Sequence, residues 1–564
     1  MKTSIYQLYI IGALICTGAA VSSCSDDDLK SESTDPMRMF TPFSFTTVNS
    51  ESDSKITWKP SLYTNDEDKI TYTAEVSSDS LFTNPSEVLI SKITDSAGIA
   101  FTDQEVPVRK NLFVRVKTNS IDNRPESYWS QSNRIRIIGI QILHPIYEPN
   151  VLESEITLSW DVTDGVTKLV FQPYTQVSGQ DPVYVGEAIT SEISSSEATT
   201  GSKTVKGLKP NTKYSVEIYK GNASIGLQSF TTKTSTDYSL IANPGDDLVA
   251  LVNNAKDGDI IGLNAGNYDT GDNLIKIDGK KVSLIGLSSD PSATKVFFKE
   301  FTLNDTGAGL QLKNLELDGS TNNAAYLINL TSSNNNGAKA NFENVLIENC
   351  LVHNVSTGAF RANRGPNSGF VMDKFEIKYS IFKNFPASSY GFLHLDKLVF
   401  NQVNLENSTF SQVGDLFIRY RESITTPSTN ATITINNCTI NSFGQSSVYP
   451  LLDNNNVAIK FNFTNNILAN SPRSGGSLSN SNLIRLASSS TAVFSYNNFY
   501  NLTNGKSSTD LLKLTLPTQN VTNTNNLEET LSWTHTTLDF QLPTSSPLRT
   551  ASSSGSAIGD PRWL

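Results

Sequence analysis

Between positions 282 and 497 the chain repeats one pattern, apolar-x-apolar-x-Asn-small-x-apolar, in which the Asn and small positions vary from copy to copy. Eight copies are visible, beginning Val282/Leu284, Leu310/Leu312, Val345/Ile347, Phe375/Ile377, Val403/Leu405, Ile433/Ile435, Phe461/Phe463 and Ala492/Phe494. The residues that follow each bend are Leu287, Leu315, Cys350, Ser380, Ser408, Cys438, Asn466 and Asn497, at intervals of 28, 35, 30, 28, 30, 28 and 31. A constant period of this size means one supersecondary unit per repeat, stacked on its neighbours. Apolar residues at i and i+2 face the same side of a strand, and Asn tolerates the left-handed backbone of a sharp bend. The pattern predicts a right-handed parallel β-helix over 240–564. Leucine-rich repeats need a tighter Leu spacing, and propeller blades would be longer, with hairpin signals. Asn349, Asn407, Asn437 and Asn465 are expected to form a hydrogen-bonded ladder up the stack.

A further strand lies between successive copies, and its central position is often basic: Phe360-Arg361-Ala362, Leu393-His394-Leu395, Ile418-Arg419-Tyr420 and Ile484-Arg485-Leu486. Alternation buries the flanking residues and turns the basic one to solvent. In register, Arg361, His394 and Arg419 would occupy adjacent rungs ~5 Å apart. Arg364, Lys397 and Arg421 follow within three residues and widen the basic patch, while Asp396, Glu422 and Asp453 are placed to neutralise part of it.

The N-terminal part has a different period. Ser54-Lys55-Ile56-Thr57-Trp58, Ile70-Thr71-Tyr72-Thr73-Ala74-Glu75-Val76 and Leu112-Phe113-Val114-Arg115-Val116-Lys117-Thr118 alternate with period two between turn signals, as half-buried strands do. The order recurs with Ile156-Thr157-Leu158-Ser159-Trp160 and Leu208-Lys209-Pro210-Asn211-Thr212-Lys213-Tyr214-Ser215-Val216, closed by Phe230-Thr231-Thr232. Two β-sandwiches are expected, over 40–138 and 139–233, and the fold class is all-β. The early Trp, the Tyr128-Trp129-Ser130 segment and the Tyr214 segment resemble fibronectin type III domains, which usually serve as spacers. Tyr128 or Trp129 is a candidate stacking surface for sugars.

The run from Leu248 to Asp259 is an amphipathic helix ending in a Gly turn, followed by Gly266-Asn267-Tyr268. A helix here would cover the open end of the first coil, which otherwise exposes its core and its edge. This entry resembles pectate-lyase-like β-helices. At the other end, Ser546-Pro547-Leu548 and Ile558-Gly559-Asp560-Pro561-Arg562-Trp563 look like the terminal coil of such helices, with Trp563 expected over the core of the last rung.

Lys2, the apolar run over 10–21 and Ser22-Ser23-Cys24 form a secretory leader over 1–23. The run is shorter than the ~18 residues needed to span a bilayer. The leader's end at Ser22-Ser23-Cys24 resembles the lipobox of bacterial lipoproteins, which implies a lipid anchor on Cys24. Asp26, Asp27 and Asp28 stand in the tether over 24–39 and look like the signal that sends Bacteroidetes lipoproteins to the outer face of the outer membrane. The other two candidates for a disulfide, Cys350 and Cys438, are three rungs apart, ~14 Å, so they are expected to be free buried thiols.

Composition fits a β-rich extracellular protein, with 18% charged and 37% hydrophobic residues. The net charge of −11 excludes nucleic acid as the expected partner and means that any acidic ligand must be held by a local basic patch. The layout resembles surface lipoproteins of Bacteroidetes polysaccharide-utilisation loci. That resemblance implies binding of an acidic, pectin-like polysaccharide, with an outer-membrane glycan importer as a further partner. Substrate-binding candidates are Arg361, Arg364, His394, Arg419, Arg421 and Arg485, because Arg clamps carboxylates bidentately. The alternative is a polysaccharide lyase acting by β-elimination, with Arg419, Arg361 or Lys397 as base and Ca²⁺ as cofactor. No catalytic set, no calcium cluster and no other metal site is evident, since Asp396, Asp415 and Glu422 are scattered. A second alternative is a structural adhesin or stalk, with the basic residues in surface salt bridges.

Overall fold

The structure is a computed structural model that describes residues 37–564 apart from 64–68, 122, 180–181, 367–368, 387–389, 423–430, 480–481 and 513–519. The expected leader, Cys24 and the acidic tether up to residue 36 lie outside the described residues. Two compact units are present. One runs up to Gln141 and takes in Ser224–Gly226; the other comprises Ile142–Ala223 and Leu227–Leu564.

The first unit is a fibronectin-like sandwich. A three-stranded antiparallel sheet, Phe43–Asn49, Asp53–Lys59 and Gly98–Thr102, faces a four-stranded one built on Tyr72–Ser77 and Phe113–Thr118. Ile56, Trp58, Tyr72, Ala74, Val76, Val114 and Val116 interdigitate between them, with the Trp58 and Tyr72 rings 5.4 Å apart edge to face. Tyr128 is 73% exposed. Trp129 is not an open platform, because Arg115 and Lys117 lie 4.3 and 4.9 Å from its ring.

The second unit opens with another sandwich. Its central strand Val166–Thr175 pairs with Lys213–Lys220, and Glu155–Ser159 pairs with Ser202–Lys206. Trp160, Phe171 and Tyr214 are fully buried. The buried Tyr214 hydroxyl accepts a 3.0 Å hydrogen bond from the Lys209 amide, the tyrosine corner expected of a fibronectin type III-like fold.

Three parallel sheets of 12, 9 and 8 strands then wind into the β-helix. In the first sheet, Val282, Leu310, Val345, Phe375, Val403, Ile433, Phe461 and Ala492 are successive register partners, and so are the residues two positions on, from Leu284 to Phe494. All eight repeats therefore stack in phase. Both columns are buried, and each Leu, Ile or Phe so removed from water contributes about 1.5–3 kcal/mol. Asn314, Asn349, Tyr379, Asn407, Asn437, Asn465 and Tyr496 end the strands with φ between 49° and 57°, the left-handed bend that Asn tolerates best.

The expected Asn ladder is not at those positions. Tyr379 interrupts the column, and Asn349 bonds to Asn314 at 3.0 Å whereas Asn437 turns to the Ala557 carbonyl. The ladder is one residue further on, in two buried runs that break between Ser408 and Cys438. The backbone amides of Cys350, Ser380, Cys438, Asn466 and Asn497 donate to the side chains of Ser380, Ser408, Asn466, Asn497 and Asn526. There the side chains satisfy amides that the bend removes from the sheet. Cys350 and Cys438 are free and buried, and burial pushes the Cys350 thiol up to about 12.

Helix Leu248–Asn254 covers the entrance with Leu248 and Val252 in the core. Asp247 caps its N-terminus, and the Lys280 ammonium donates to three carbonyls at its C-terminus, those of Val252, Asn253 and Ala255. The exit differs from expectation. The chain after Leu527 turns back along the outside of the second sheet, with carbonyls of Glu529, Trp533, Thr534 and His535 accepting from Asn498, Asn470, Asn441 and Gln412 in turn. Trp563 donates to Thr409 at 2.7 Å, several rungs before the last, and so does not cover the final core. Its ring packs instead with Phe540 in a separate small core. Among the described residues no helix is long and apolar enough to cross a membrane.

Candidate functional site

The third sheet contains Tyr326–Thr331, Gly358–Arg361, Gly391–His394, Leu416–Tyr420, Leu452–Asn454 and Ile484–Arg485. Register pairing runs Asn329, Arg361, His394, Arg419, Asp453, Arg485, one residue per rung. The basic residues singled out by alternation therefore do form one column, interrupted by Asp453. Phe360, Leu393 and Ile418 beside them are fully buried.

The column divides into two electrostatic environments. Toward its end, two carboxylates with almost no exposure organise the cations. Asp396 accepts from His394 Nε2 at 3.1 Å, Arg419 Nε at 2.8 Å and the Arg421 amide. Asp453 accepts from Arg485 Nε at 2.7 Å and from Arg421. Burial alone would raise the Asp396 carboxyl, but His394, the Arg421 amide and Arg419 together hold it below its ordinary range. His394 corrects the expectation of a solvent-facing residue. Only 1% of it is exposed, the Tyr390 ring lies 4.8 Å from it, and burial lowers its pKa, so it is a neutral strut under Arg419.

At the earlier rungs the counterions are scarcer. The Arg361 guanidinium lies 5.0 Å from the ring of Tyr326 and 5.5 Å from that of Tyr390, and its Nε is buried without a hydrogen-bond partner. Among the described residues no carboxylate pairs with it. Arg364 donates to Asn329 Oδ1 at 3.3 Å, and Asn329 in turn donates to Glu300 at 3.2 Å. Desolvation and then the neighbouring Arg361 charge lower the Arg364 pKa. Lys397 is placed otherwise than a free base would be: its ammonium donates to the carbonyls of Gly365 at 3.0 Å and Arg364 at 3.5 Å.

Tyr326, Tyr390, Asn329 and Glu300 were not among the candidates from sequence. The two tyrosines stand three and four residues before the outward positions Asn329 and His394, a spacing that means nothing until the rungs are stacked. Also unforeseen is a cluster on the second sheet, where Glu316, Asp318 and His353 come together. Its cation is already supplied by Lys295, 2.6 Å from Glu316 and 3.6 Å from Asp318. His353 Nε2 lies 2.9 Å from Glu316. Burial works to raise the Asp318 carboxyl, yet Asn354 and Ser320 hold it at about 2.

The Ca²⁺ implied by a lyase does not fit beside the basic column. Ca²⁺ needs six to eight oxygens, and the carboxylates at the column's later rungs, Asp396 and Asp453, already accept from His394 and three arginines, while Glu300 at its earlier end accepts from Asn329 and Thr302. Asp415 is likewise taken by the amides of Gln445, Ser446 and Ser447.

A family model described as a domain of unknown function, DUF4957, matches residues 266–412. That segment carries Arg361, Arg364, His394 and Lys397 but stops before Arg419. No curated protein matches the chain. Among solved structures, the chicken CNTN1 FN1-FN3 domains are similar at 14% identity and a TM-score of 0.15, covering 35% of this chain and 69% of that one. The two fibronectin type-III domain segment from chicken tenascin is similar at 14% identity and a TM-score of 0.17, covering 34% of this chain and 99% of that one. At such scores the assignment of the two sandwiches rests on the strand pairing and the tyrosine corner described above.

Proposed function

We propose that this protein is held at the outer cell surface by a lipid on Cys24 and that the outer face of its third sheet binds an acidic, pectin-like polysaccharide. Fibronectin-like domains together with a β-helix are consistent with a surface or stalk role. The observation that carries the finer reading is Arg361. It stands on an outward column with two aromatic rings beside it and no carboxylate assigned to it among the described residues. A uronate carboxylate would supply the missing counterion through the bidentate geometry that guanidinium favours. Arg364 and Asn329 extend the same surface.

Elimination chemistry has less support. The Arg419 Nε is committed to Asp396 and the Lys397 ammonium to main-chain carbonyls, so neither is poised to take a proton. Affinity electrophoresis through polygalacturonate gels tests the binding, and absorbance from unsaturated uronate tests elimination on the same samples. We expect retardation of the wild type, its loss in Arg361→Ala combined with Arg364→Ala, and no rise in absorbance. Equal mobility of wild type and double variant in every acidic gel would leave the column as surface decoration. An absorbance rise abolished by the same double variant would make the protein a lyase.

A further inference from the structure

A cleft of about 1110 Å³ lies between the second sandwich and the β-helix, within the second compact unit. One wall is a sheet surface carrying Thr157, Ser159 and Thr204; the other is the bend between the first two helix sheets, with Asn349, Tyr379 and Asn407. Tyr147 and Tyr379 meet edge to face at its base, ring centroids 5.6 Å apart. Arg562 ties them down by donating to the Tyr147 hydroxyl at 2.7 Å and to the Tyr379 carbonyl. The Tyr379 hydroxyl donates to Glu148. These contacts preform the cleft, and ligand sites favour such domain junctions.

The lining's chemistry selects the ligand class. Several of its charged groups are engaged within the protein: Glu155 pairs with Lys206 at 3.4 Å, Asp290 accepts from Ser292, Glu148 from Tyr379, and Arg562 lies 3.9 Å from the buried Asp560. His144 sits between Ser159 Oγ at 3.2 Å and Asp161 at 3.0 Å. What the walls offer is hydroxyls and amides beside tyrosine rings and apolar side chains such as Pro145, Ile146, Pro291 and Ile381, a mixture suited to the polar rim and apolar face of a sugar ring. Thr157 and Thr204 form one hydroxyl pair at 2.7 Å that can donate or accept outward.

From this we infer that the cleft between the second sandwich and the β-helix is a second binding site, for a neutral, hydroxyl-rich oligosaccharide. It is independent of the acidic-ligand reading of the third sheet, because it uses other residues and the opposite charge logic. Polyol hydroxyls can take the place of water on such groups, while a carboxylate would meet Arg562 beside the buried Asp560 and Lys206 paired with Glu155.

The full-length protein without its leader is titrated calorimetrically with neutral oligosaccharides prepared from galactan, arabinan and xyloglucan, and with oligogalacturonate. At least one neutral probe is expected to bind. Thr157→Trp and Thr204→Trp, both on the wall and away from the joint, are each expected to weaken it at least tenfold by filling the space, with oligogalacturonate binding unchanged. Arg361→Ala is expected to leave the neutral probe unaffected. Circular dichroism melts confirm that the Trp variants fold; if one does not, the other decides. Absence of heat with every neutral probe overturns the inference, as does wild-type affinity in a folded Trp variant.

Discussion

Two stretches of the same column on the third sheet hold arginines in opposite ways. Around Arg419, Arg421 and Arg485, two buried carboxylates make cationic side chains part of the fold. Around Arg361 the guanidinium rests against tyrosine rings with no carboxylate assigned to it among the described residues. Breaking a buried ion pair is costly because a charge is stranded, whereas a cation on an aromatic ring gives up less when removed. Residue type alone does not separate a binding arginine from a structural one; the counterion does.

The comparison breaks most sharply at Asp396. Asp396→Ala strands His394 and Arg419 and should cost about 3 kcal/mol, toward the lower end for a buried pair because Arg419 can reach water. Chemical denaturation of the second unit measures it, and polygalacturonate binding should persist, since the face loses a negative charge. Arg361→Ala should do the reverse. A charge-assisted hydrogen bond is worth about 1.5–3 kcal/mol, so affinity should fall at least tenfold. The melting transition should move little, since a cation–π contact contributes about 0.5–1 kcal/mol. If stability falls and affinity holds, the two stretches are alike and the division is wrong.

A pH series sharpens the same point. Burial lowers the His394 pKa below its ordinary 6.5, so the unfolded chain takes up a proton in a range where the folded one does not. The stability this residue contributes is present above 6.5 and is lost as pH falls from there through the folded value. His394→Gln should flatten the dependence of melting temperature on pH in that window; an unchanged slope would mean that His394 is not the titrating strut. The smallest effect is expected at Lys397, whose ammonium is spent on carbonyls. Lys397→Ala should leave acidic-glycan affinity within about twofold, the scale of a single partly exposed charge already engaged within the protein.

Much of the candidate face is legible in the sequence. The phase relation between Phe360-Arg361-Ala362 and Ile418-Arg419-Tyr420 follows from alternation, and the thirty-residue period puts them on one side of the solenoid. Illegible were the roles. Asp396 follows His394 by two residues in sequence, yet its carboxylate serves Arg419 and Arg421 from the next rung. Tyr326 and Tyr390 belong to different coils and meet Arg361 only through stacking. The returning tail was also missed, because a chain leaving a solenoid has no repeat to announce its direction. Its register is set by single Asn side chains such as Asn441 and Asn470.

Sequence by itself determined the coil length, the column of basic positions, the capping helix and the free state of Cys350 and Cys438. Each follows from a local rule, apolar alternation or a bend at Asn, repeated until neighbours must stack. Only the tertiary structure decided which arginines acquire a carboxylate, that His394 is buried, and that a cleft opens beside Tyr147 and Tyr379. Those outcomes depend on side chains brought within ångströms of one another from tens to hundreds of residues apart, and a one-dimensional period carries no record of such distances.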